Sequence, residues 1–318
     1  MILNQADNIY IGSTGVDKIY LGTEQVWPSS GTPAHDYSQD YLTITAIGSG
    51  NTTIDLVWDI PGNSDIHIQV STDNGTTWNN MDTSSANTAV VLQSGESLIA
   101  KGTNIYYSYD NEDDYRFCSK MRIDGRVNVS GNIMSLFYGD NFTGQTTFPI
   151  DVSTQQRQLV SFFAGTDIVD AENLVLPATM TLYCYEEMFS GCTYLYSAPS
   201  FAGQNILHNS TTSMFSDCPS LSKMPVFNCN AVSLGNYMFH NCSALQRLVF
   251  NCDAFDIYNY PFNGCTSLNY FECGASTINN YYSIEMLPDV PASGTFVKKT
   301  GVSWPAQTIP TGWTVIDQ

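Results

Sequence analysis

The chain has 318 residues, of which 43% are hydrophobic and only 13% charged, and its 30 acidic and 11 basic residues give a net charge of −19. The hydrophobic content suffices for a packed core, and the length suits two domains. An acidic surface repels phosphate backbones, so nucleic acid is excluded as a partner, and the charge is expected to keep the protein soluble.

The N-terminus carries no recognisable targeting segment. Met1 is followed by neither a basic and apolar signal peptide nor an early cysteine for lipidation, since the first cysteine is Cys118. No apolar run reaches the ~18 residues of a transmembrane helix, so no membrane partner is expected. We therefore expect folding in a reducing cytoplasm, where the nine cysteines stay thiols.

The first 28 residues contain a ten-residue repeat. Ile9-Tyr10-Ile11-Gly12 returns as Ile19-Tyr20-Leu21-Gly22, and the segment closes with Val26-Trp27-Pro28. Each copy predicts a short strand, and two such strands bury too little surface to be stable alone. Residues 1–28 are therefore predicted to be a β-hairpin module that docks on another protein; the alternative is a hairpin packed on its own domain. The residues expected to make the docking contact are Ile9, Tyr10, Ile11, Ile19, Tyr20, Leu21, Val26 and Trp27.

A linker and a second β-rich region follow. Residues 29–40 begin with Ser, Gly and Pro and predict the linker. From residue 41 to 125, hydrophobic and polar residues alternate in short runs such as Leu42–Ala46 and Ile66–Val70, and Asn74-Gly75 predicts a hairpin turn. Strands at this spacing are typical of a β-sandwich of immunoglobulin-like character.

The strongest pattern is an internal repeat within residues 126–318. A Met-Phe-x-x-Cys-x-x-Leu unit has its cysteine at 192, 218 and 242, and a copy with Pro261 in place of Met has Cys265, so the spacings are 26, 24 and 23 residues. An earlier degenerate copy has Thr166 where cysteine is expected. Periods of ~20–29 residues are typical of leucine-rich-repeat solenoids, here with a short helical turn at Met-Phe and a strand that opens at Leu.

A second motif, Phe-x-Cys-x-Ala, occurs at residues 227–231, 250–254 and 271–275. Its period of two predicts one strand, in phase with the first motif, with Phe, Cys and Ala on one face. Two large aromatic residues near the end, Trp304 and Trp313, predict a cap on the last coil.

The Phe-x-x-Cys-x-x-Leu units resemble the BspA-like leucine-rich-repeat family. The Ile-Tyr-Ile-Gly segment ending in Val26-Trp27-Pro28 looks like short N-terminal modules on phage structural proteins of gut Bacteroidales, and Ser71–Trp78 and Ala171–Ala178 look like a multi-domain arrangement common in these bacteria and their phages. The resemblance implies a fibre or decoration subunit of the virion, assembled in the host cytoplasm, that binds other virion proteins and copies of itself. The sequence departs from the family pattern at Thr166 and Pro261.

The residue types that usually perform catalysis are scattered. Of the four histidines, which are His35, His67, His208 and His240, the last takes a repeat position held elsewhere by Ser216 or Asn263, which indicates an exposed slot. The sequence contains no Cys-x-x-Cys pair and no matching His pair, so a structural zinc site is not expected. The acidic run Asp110–Asp114 lacks the spacing of a calcium loop and is interpreted as a solvated loop. We expect no catalytic residue, metal or cofactor.

The repeated cysteines are expected to form a ladder of buried thiols, because a small apolar residue fits one place in every coil. A disulfide such as Cys218 with Cys229 is the alternative.

Tyrosines concentrate in the last third of the repeats, among asparagines. Aromatic faces stack on sugar rings while amides bond to hydroxyl groups, so this region predicts a glycan-binding face; the alternative is that these residues are core or ordinary surface. The residues concerned are Tyr258, Tyr260, Tyr270, Tyr281 and Tyr282.

Together these patterns predict a non-enzymatic phage virion structural protein, on head or tail, that docks through its N-terminus and displays repeats for adhesion to a host-surface glycan or protein. One alternative is a bacterial surface adhesin, disfavoured because no export signal is present. The other is a glycan-active enzyme, disfavoured because no motif pairs two carboxylates.

Overall fold

The structure is a computed structural model that describes residues 35–58, 66–83, 88–110, 116–149, 156–201, 205–224, 227–281 and 285–318, together with the backbone of four short strands before residue 28. The chain forms two compact units, Met1–Asp36 and Tyr37–Gln318. Strands hold 33% of the residues and helix 5%, so the prediction of a mainly β fold is confirmed.

Each copy of the N-terminal repeat forms its own pair of strands. Strand β1 (Ile9–Ile11) pairs antiparallel with β2 (Thr14–Val16), and β3 (Ile19–Leu21) pairs antiparallel with β4 (Glu24–Trp27). Two residues separate the strands of each pair, and a connection this short joins only antiparallel neighbours. The two repeat copies therefore lie in separate two-stranded sheets, not in one shared hairpin.

The larger unit begins with two sheets. Their strands are β5 (Leu42–Ala46), β6 (Thr52–Trp58), β7 (His67–Ser71), β8 (Asn79–Asp82), β9 (Val90–Leu92), β10 (Ser97–Gly102), β11 (Ser108–Asp110), β12 (Arg116–Asp124), β13 (Val127–Asn132), β14 (Gln156–Arg157), β15 (Ile168–Asp170) and β16 (Leu174–Val175). One sheet has the order β15-β13-β5-β10-β7-β8, with β16 also on β13, and the other has the order β14-β11-β12-β6-β9.

Alternation along these strands supplies the core. In β5, Leu42, Ile44 and Ala46 are buried, while Thr43 and Thr45 lie between them on the other face. A helix of one turn, α1 (Ser135–Tyr138), follows β13, and the described residues also form short 3-10 turns at Tyr37–Gln39, Gly139–Asn141 and His208–Ser210. An immunoglobulin-like topology stays a prediction.

Strand β13 connects the antiparallel sheet with the repeats. It pairs antiparallel with β5 on one side and parallel with β15 and β16 on the other. Parallel bridges from Asp170 to Ser197 and from Ser197 to Lys223 carry the pairing into the next coils. The predicted boundary between residues 125 and 126 falls just before β13, and the buried residues on both of its sides belong to one core cluster. That domain division stays a prediction.

The C-terminal part is a β-solenoid with two parallel sheets. Its strands are β17 (Phe227–Asn228), β18 (Ala231–Ser233), β19 (Arg247–Asn251), β20 (Ala254–Ile257), β21 (Tyr270–Cys273), β22 (Thr277–Asn280), β23 (Thr295–Lys298) and β24 (Thr314–Asp317). One sheet has the order β17-β19-β21-β23-β24 and the other the order β18-β20-β22. The predicted solenoid is confirmed.

The predicted Phe-x-Cys-x-Ala strand is wrong in two respects. In the coil of Phe250 the motif spans a corner, because β19 ends at Asn251, Cys252 turns the chain, and β20 begins at Ala254. The last copy is also out of phase, since Phe250 lies opposite Cys273 and not opposite Phe271. The reason is a shorter connection: Phe250 follows its repeat cysteine by eight residues, whereas Phe271 follows Cys265 by six.

Phenylalanines of successive coils stack along the solenoid core. Ring centroids are 5.6 to 5.7 Å apart and the ring planes lie within 21° of each other. Offset stacking of this kind contributes about 0.5–1.5 kcal/mol per pair beyond the buried area. The stacked residues are Phe163, Phe189, Phe215, Phe239 and Phe262.

The repeat cysteines form a second ladder beside the rings. Cys192, Cys218, Cys242 and Cys265 each donate a thiol hydrogen bond of 3.1 Å to a phenylalanine carbonyl of the preceding coil. Thr166, which replaces the first cysteine, donates from its hydroxyl to Phe163 O at 2.8 Å. The position needs a small side chain with a hydrogen-bond donor, so a threonine can take it.

The residue before each of these positions adopts a left-handed backbone. Gly165, Gly191, Asp217, Asn241 and Gly264 have φ between 58° and 77°. Glycine, aspartate and asparagine are the residues that tolerate this region best, which explains why only these three types occur there. At the end of the array Trp304 packs edge-on against Phe296 with centroids 4.8 Å apart, where the sequence predicts a cap.

Candidate functional site

The eight predicted docking residues lie in strands β1, β3 and β4. Their side chains fall outside the described structure, so the docking role stays a prediction. Each N-terminal sheet has two strands, and every strand of such a sheet has one edge that its partner does not cover.

The predicted tyrosine face separates into three places on the solenoid. Tyr258 and Tyr281 stack on each other with ring centroids 4.8 Å apart, just beyond the ends of β20 and β22. Tyr260 stacks instead on Tyr237, at 6.2 Å, in the turn that precedes the Met-Phe position. Tyr270 lies on the other sheet, in β21. Tyr282 is outside the described residues.

A row of three rings contains the first of these pairs. The imidazole of His208 stacks on Tyr258 with centroids 3.7 Å apart, and its Nδ1 lies 3.2 Å from Leu234 O. His208 and Tyr281 belong to coils on opposite sides of Tyr258, so both faces of the Tyr258 ring are covered. Tyr281 ends the row and is 56% exposed. No local sequence signal identifies His208 as a member, because the intervening coil contributes no ring.

The coil between His208 and Tyr258 has a glycine where the next coil has Tyr258, so no side chain separates the two rings. The position that corresponds to Tyr258 in that coil is Gly235, where a Cβ atom would lie 2.4 Å from Thr212 N. The backbones of two coils are therefore too close for any side chain there, and His208 reaches across to Tyr258.

A ladder of polar side chains runs beside the rings. Asn279 Nδ2 donates to Asp256 Oδ1 at 2.7 Å, and Ser233 Oγ donates to Asp256 Oδ2 at 3.2 Å. The negative charge of Asp256 is the main reason that the pKa of Tyr281 is raised. The Tyr281 hydroxyl therefore stays protonated at neutral pH beside a carboxylate and an amide that can bond to a ligand hydroxyl.

The remaining described tyrosines of the predicted face, Tyr260 and Tyr270, make contacts within the chain. The Tyr270 hydroxyl donates to Glu272 Oε2 at 2.7 Å, and the Arg247 guanidinium lies 3.7 Å from the centre of the Tyr270 ring. Tyr237 and Tyr260 have left-handed backbones with φ of 56° and 46°, an uncommon conformation for a bulky residue. Their rings stack on each other, with centroids 6.2 Å apart.

Comparison with protein families identifies the repeats. Residues 161–283 match the model of the BspA type leucine rich repeat region, in six copies. These residues are a BspA-type leucine-rich-repeat region. The match begins before Thr166, so the degenerate copy counts as a repeat, and it ends short of the Trp304 cap. Comparisons with curated proteins and with solved structures give no match.

A groove of about 500 Å³ lies at the corner between the two sheets of the BspA-type region. Asn228, Asn251 and Asp253 line it together with the half-buried thiol of Cys229 and with Cys252. Asn251 Nδ2 donates to Asn228 Oδ1 at 2.8 Å, so the amides of two coils are linked along the groove. All nine cysteines are free thiols in the structure, and no bond joins Cys218 to Cys229 there.

A second groove, of about 340 Å³, lies on the antiparallel sheet, where Gln69, Asn80 and Lys101 line it. Lys101 Nζ and the Tyr41 hydroxyl both donate to Asp140 Oδ1, at 2.8 and 2.7 Å. The hydrogen bond from Lys101 lowers the pKa of Asp140, and burial raises the pKa of Tyr41 to about 12. Sequence reasoning missed this network, because its members lie 39 to 99 residues apart.

Ionisable groups of the described residues form no metal cluster. No group of three or more His, Cys, Asp or Glu side chains in this part of the chain is placed to hold a metal ion. His67 lies 3.9 Å from Asp82, and His240 lies 4.0 Å from Asp217, each a pair with one carboxylate. The Asp110–Asp114 run falls mostly outside the described residues. None of the described helices is long and apolar enough to span a bilayer.

Proposed function

We propose that the chain is a non-enzymatic structural protein of a phage virion, which docks through its N-terminal unit and displays the BspA-type repeats for adhesion. The observation that carries the proposal is the division of the chain: a unit of about 36 residues with two small sheets is separate from a unit with one long continuous core. Two-stranded sheets are unstable alone, so the small unit needs a partner that adds strands to its edges.

The partners in this proposal are other virion structural proteins and further copies of the chain. The sheets of residues 41–125, as an immunoglobulin-like sandwich, hold the repeats away from the particle. Coils that share one core offer a long surface for binding, and repeat solenoids share no common activity beyond such a surface. The head, neck or tail position is left to experiment.

Removal of residues 1–28 tests the docking role. The shortened protein should stay folded, because its core lies in the second unit, but it should be missing from purified particles. Removal of residues 1–7 alone spares all four strands and is the matched control. Normal incorporation of the shortened protein would refute docking, and a cryo-EM map of particles would show the partner of β1 and β3.

We propose a host-surface glycan as the ligand of the repeats, with contact at Tyr281. The ring ends a stacked row, is 56% exposed, and stands beside the Asp256 and Asn279 ladder. A sugar ring that stacks on Tyr281 would bring its hydroxyl groups to these acceptors and donors. Tyr258 packs against one face of the Tyr281 ring. Both faces of the Tyr258 ring are covered, by His208 and by Tyr281, so it cannot itself stack on a sugar.

A glycan array with the full chain tests this contact. Tyr281→Ala should weaken binding about tenfold, as expected for loss of one central aromatic contact. Tyr196→Ala removes a ring of similar exposure, 53%, and should change nothing. Absence of any bound glycan, or an equal loss in both variants, would refute the glycan proposal. Detection of the chain on bacterial cells but not on particles would favour a surface adhesin, and hydrolysis of an array glycan would favour an enzyme.

A further inference from the structure

Three cysteines occupy the corners of successive coils, apart from the thiol ladder of the core. Cys229 comes directly after strand β17 and Cys252 directly after β19, while Cys273 is the last residue of β21. The Sγ atoms of Cys252 and Cys273 are 4.0 Å apart, and the two residues are 7% and 1% exposed. In this pairing Cys273 lies opposite Phe250, two residues before Cys252, so the two thiols meet diagonally across adjacent coils.

The two sets of thiols differ in their partners. Each thiol of the core ladder donates to a carbonyl of the preceding coil, whereas the partner of the Cys252 thiol is another thiol. A thiol gives only a weak hydrogen bond, so little free energy is lost when the hydrogen bond between Cys252 and Cys273 is replaced by a covalent bond. Closure to the usual S–S length of about 2.05 Å requires the sulfurs to approach by about 2 Å.

We propose that Cys252 and Cys273 form an oxidation site, at which a disulfide joins two adjacent coils when the protein meets an oxidising environment. The oxidant is a small disulfide of the glutathione class. One cysteine thiolate attacks it, which forms a mixed disulfide and releases one glutathione thiol. The second cysteine then displaces the other glutathione, so two protein thiols are oxidised, one oxidant disulfide is reduced, and the two thiol protons pass to the products.

The groove at the corner gives the oxidant access. Cys252 lines this groove of about 500 Å³, and neighbouring Gly274 has no side chain to fill it. The hydrogen bond and proximity of the Cys273 thiol, then burial, raise the pKa of Cys252, and the Asp253 charge adds to this effect. The thiolate is therefore scarce at neutral pH, so that oxidation is slow there and faster in alkaline buffer.

The disulfide would stabilise the end of the array. Coils of a solenoid contact only their neighbours, and a link between two of them prevents their separation. The site is independent of the proposed function, because it requires only an oxidising medium and not a virion.

The test uses the full chain, titrated with reduced and oxidised glutathione at pH 9. A thiol assay on the denatured protein should find seven free thiols where the reduced chain has nine. Proteolytic cleavage at Asp253 and Glu272 places the two cysteines on separate peptides, and these two peptides should be recovered joined by a disulfide between Cys252 and Cys273. The melting temperature should rise by roughly 5 °C or more and return on reduction.

Substitutions assign the effect to this pair. Cys252→Ser and Cys273→Ser should each abolish the rise in melting temperature, while Cys229→Ser, the matched control at the preceding corner, should keep it. Nine intact thiols, a glutathione adduct without closure, or a link between Cys229 and Cys252 would each overturn the proposal. Peptide mapping of the unsubstituted chain distinguishes these outcomes even if a serine variant fails to fold.

Discussion

Phe215 lies in the middle of the phenylalanine stack, and its replacement by alanine tests whether that stack supports the repeats. Its ring is fully buried, 5.6 Å from Phe189 and 5.7 Å from Phe239. Truncation of a buried phenylalanine to alanine costs about 3–5 kcal/mol, because it removes apolar contacts and leaves a cavity. About 1–3 kcal/mol of this corresponds to the two stacked pairs.

The expected result is a fall in melting temperature of roughly 6–20 °C, from about 2–4 °C per kcal/mol for a large domain. Urea unfolding followed by circular dichroism measures the free energy directly, with Phe215→Leu as a variant that keeps most of the volume and should lose less. A cost below about 1 kcal/mol for Phe215→Ala would refute the reasoning, since a ring that tolerates deletion supports neither neighbouring coil.

Three further outcomes are expected. Cys218→Thr should cost about 1 kcal/mol or less, and Cys218→Val more, because threonine keeps a hydroxyl donor that can bond to the carbonyl three residues earlier in its own coil, as Thr166 does, whereas valine has no donor; thermal unfolding of both variants decides this. Gly235→Ala should destabilise the chain by more than about 2 kcal/mol, since its Cβ would meet backbone at 2.4 Å, whereas Gly50→Ala, with no atom within 4 Å, should be neutral in the same assay. The hydrogen bond from Thr77 lowers the pKa of Asp73 from 3.8 to about 2, so the ionised carboxylate stabilises the turn fully above about pH 4, and this stabilisation disappears as the pH falls towards 2. The fluorescence of Trp78 should report the opening of the turn in that pH range. An identical pH transition in Asp73→Asn and in the parent chain would contradict this prediction.

Some features of the fold follow from local residue patterns. The spacing of the repeat cysteines predicts a solenoid of the BspA type, because each coil needs a small buried side chain at the same point. The glycine, aspartate or asparagine before each of them marks a left-handed turn that few other residues adopt. Alternation in Leu42–Ala46 likewise predicts a strand with one buried face.

Other features depend on how distant segments meet. The register of β21 against β19 reflects a connection two residues shorter, and pattern matching on Phe-x-Cys-x-Ala places Phe271 where the structure has Cys273. The four described tyrosines of the predicted glycan-binding face are close in sequence, yet the rotation of the chain around each coil places them on different faces of the solenoid. Position around the coil, and not proximity in sequence, decides which rings meet.

The sequence by itself therefore determined the repeat class, the mainly β composition and the buried ladders, since these arise from side-chain preferences that recur every coil. Only the tertiary structure decided the continuity of the antiparallel sheet with the solenoid through β13, the row of His208, Tyr258 and Tyr281, and the approach of Cys252 to Cys273. The physical reason is that each of these requires two or more segments in a particular register, and register is set by backbone pairing and connection length across the whole fold.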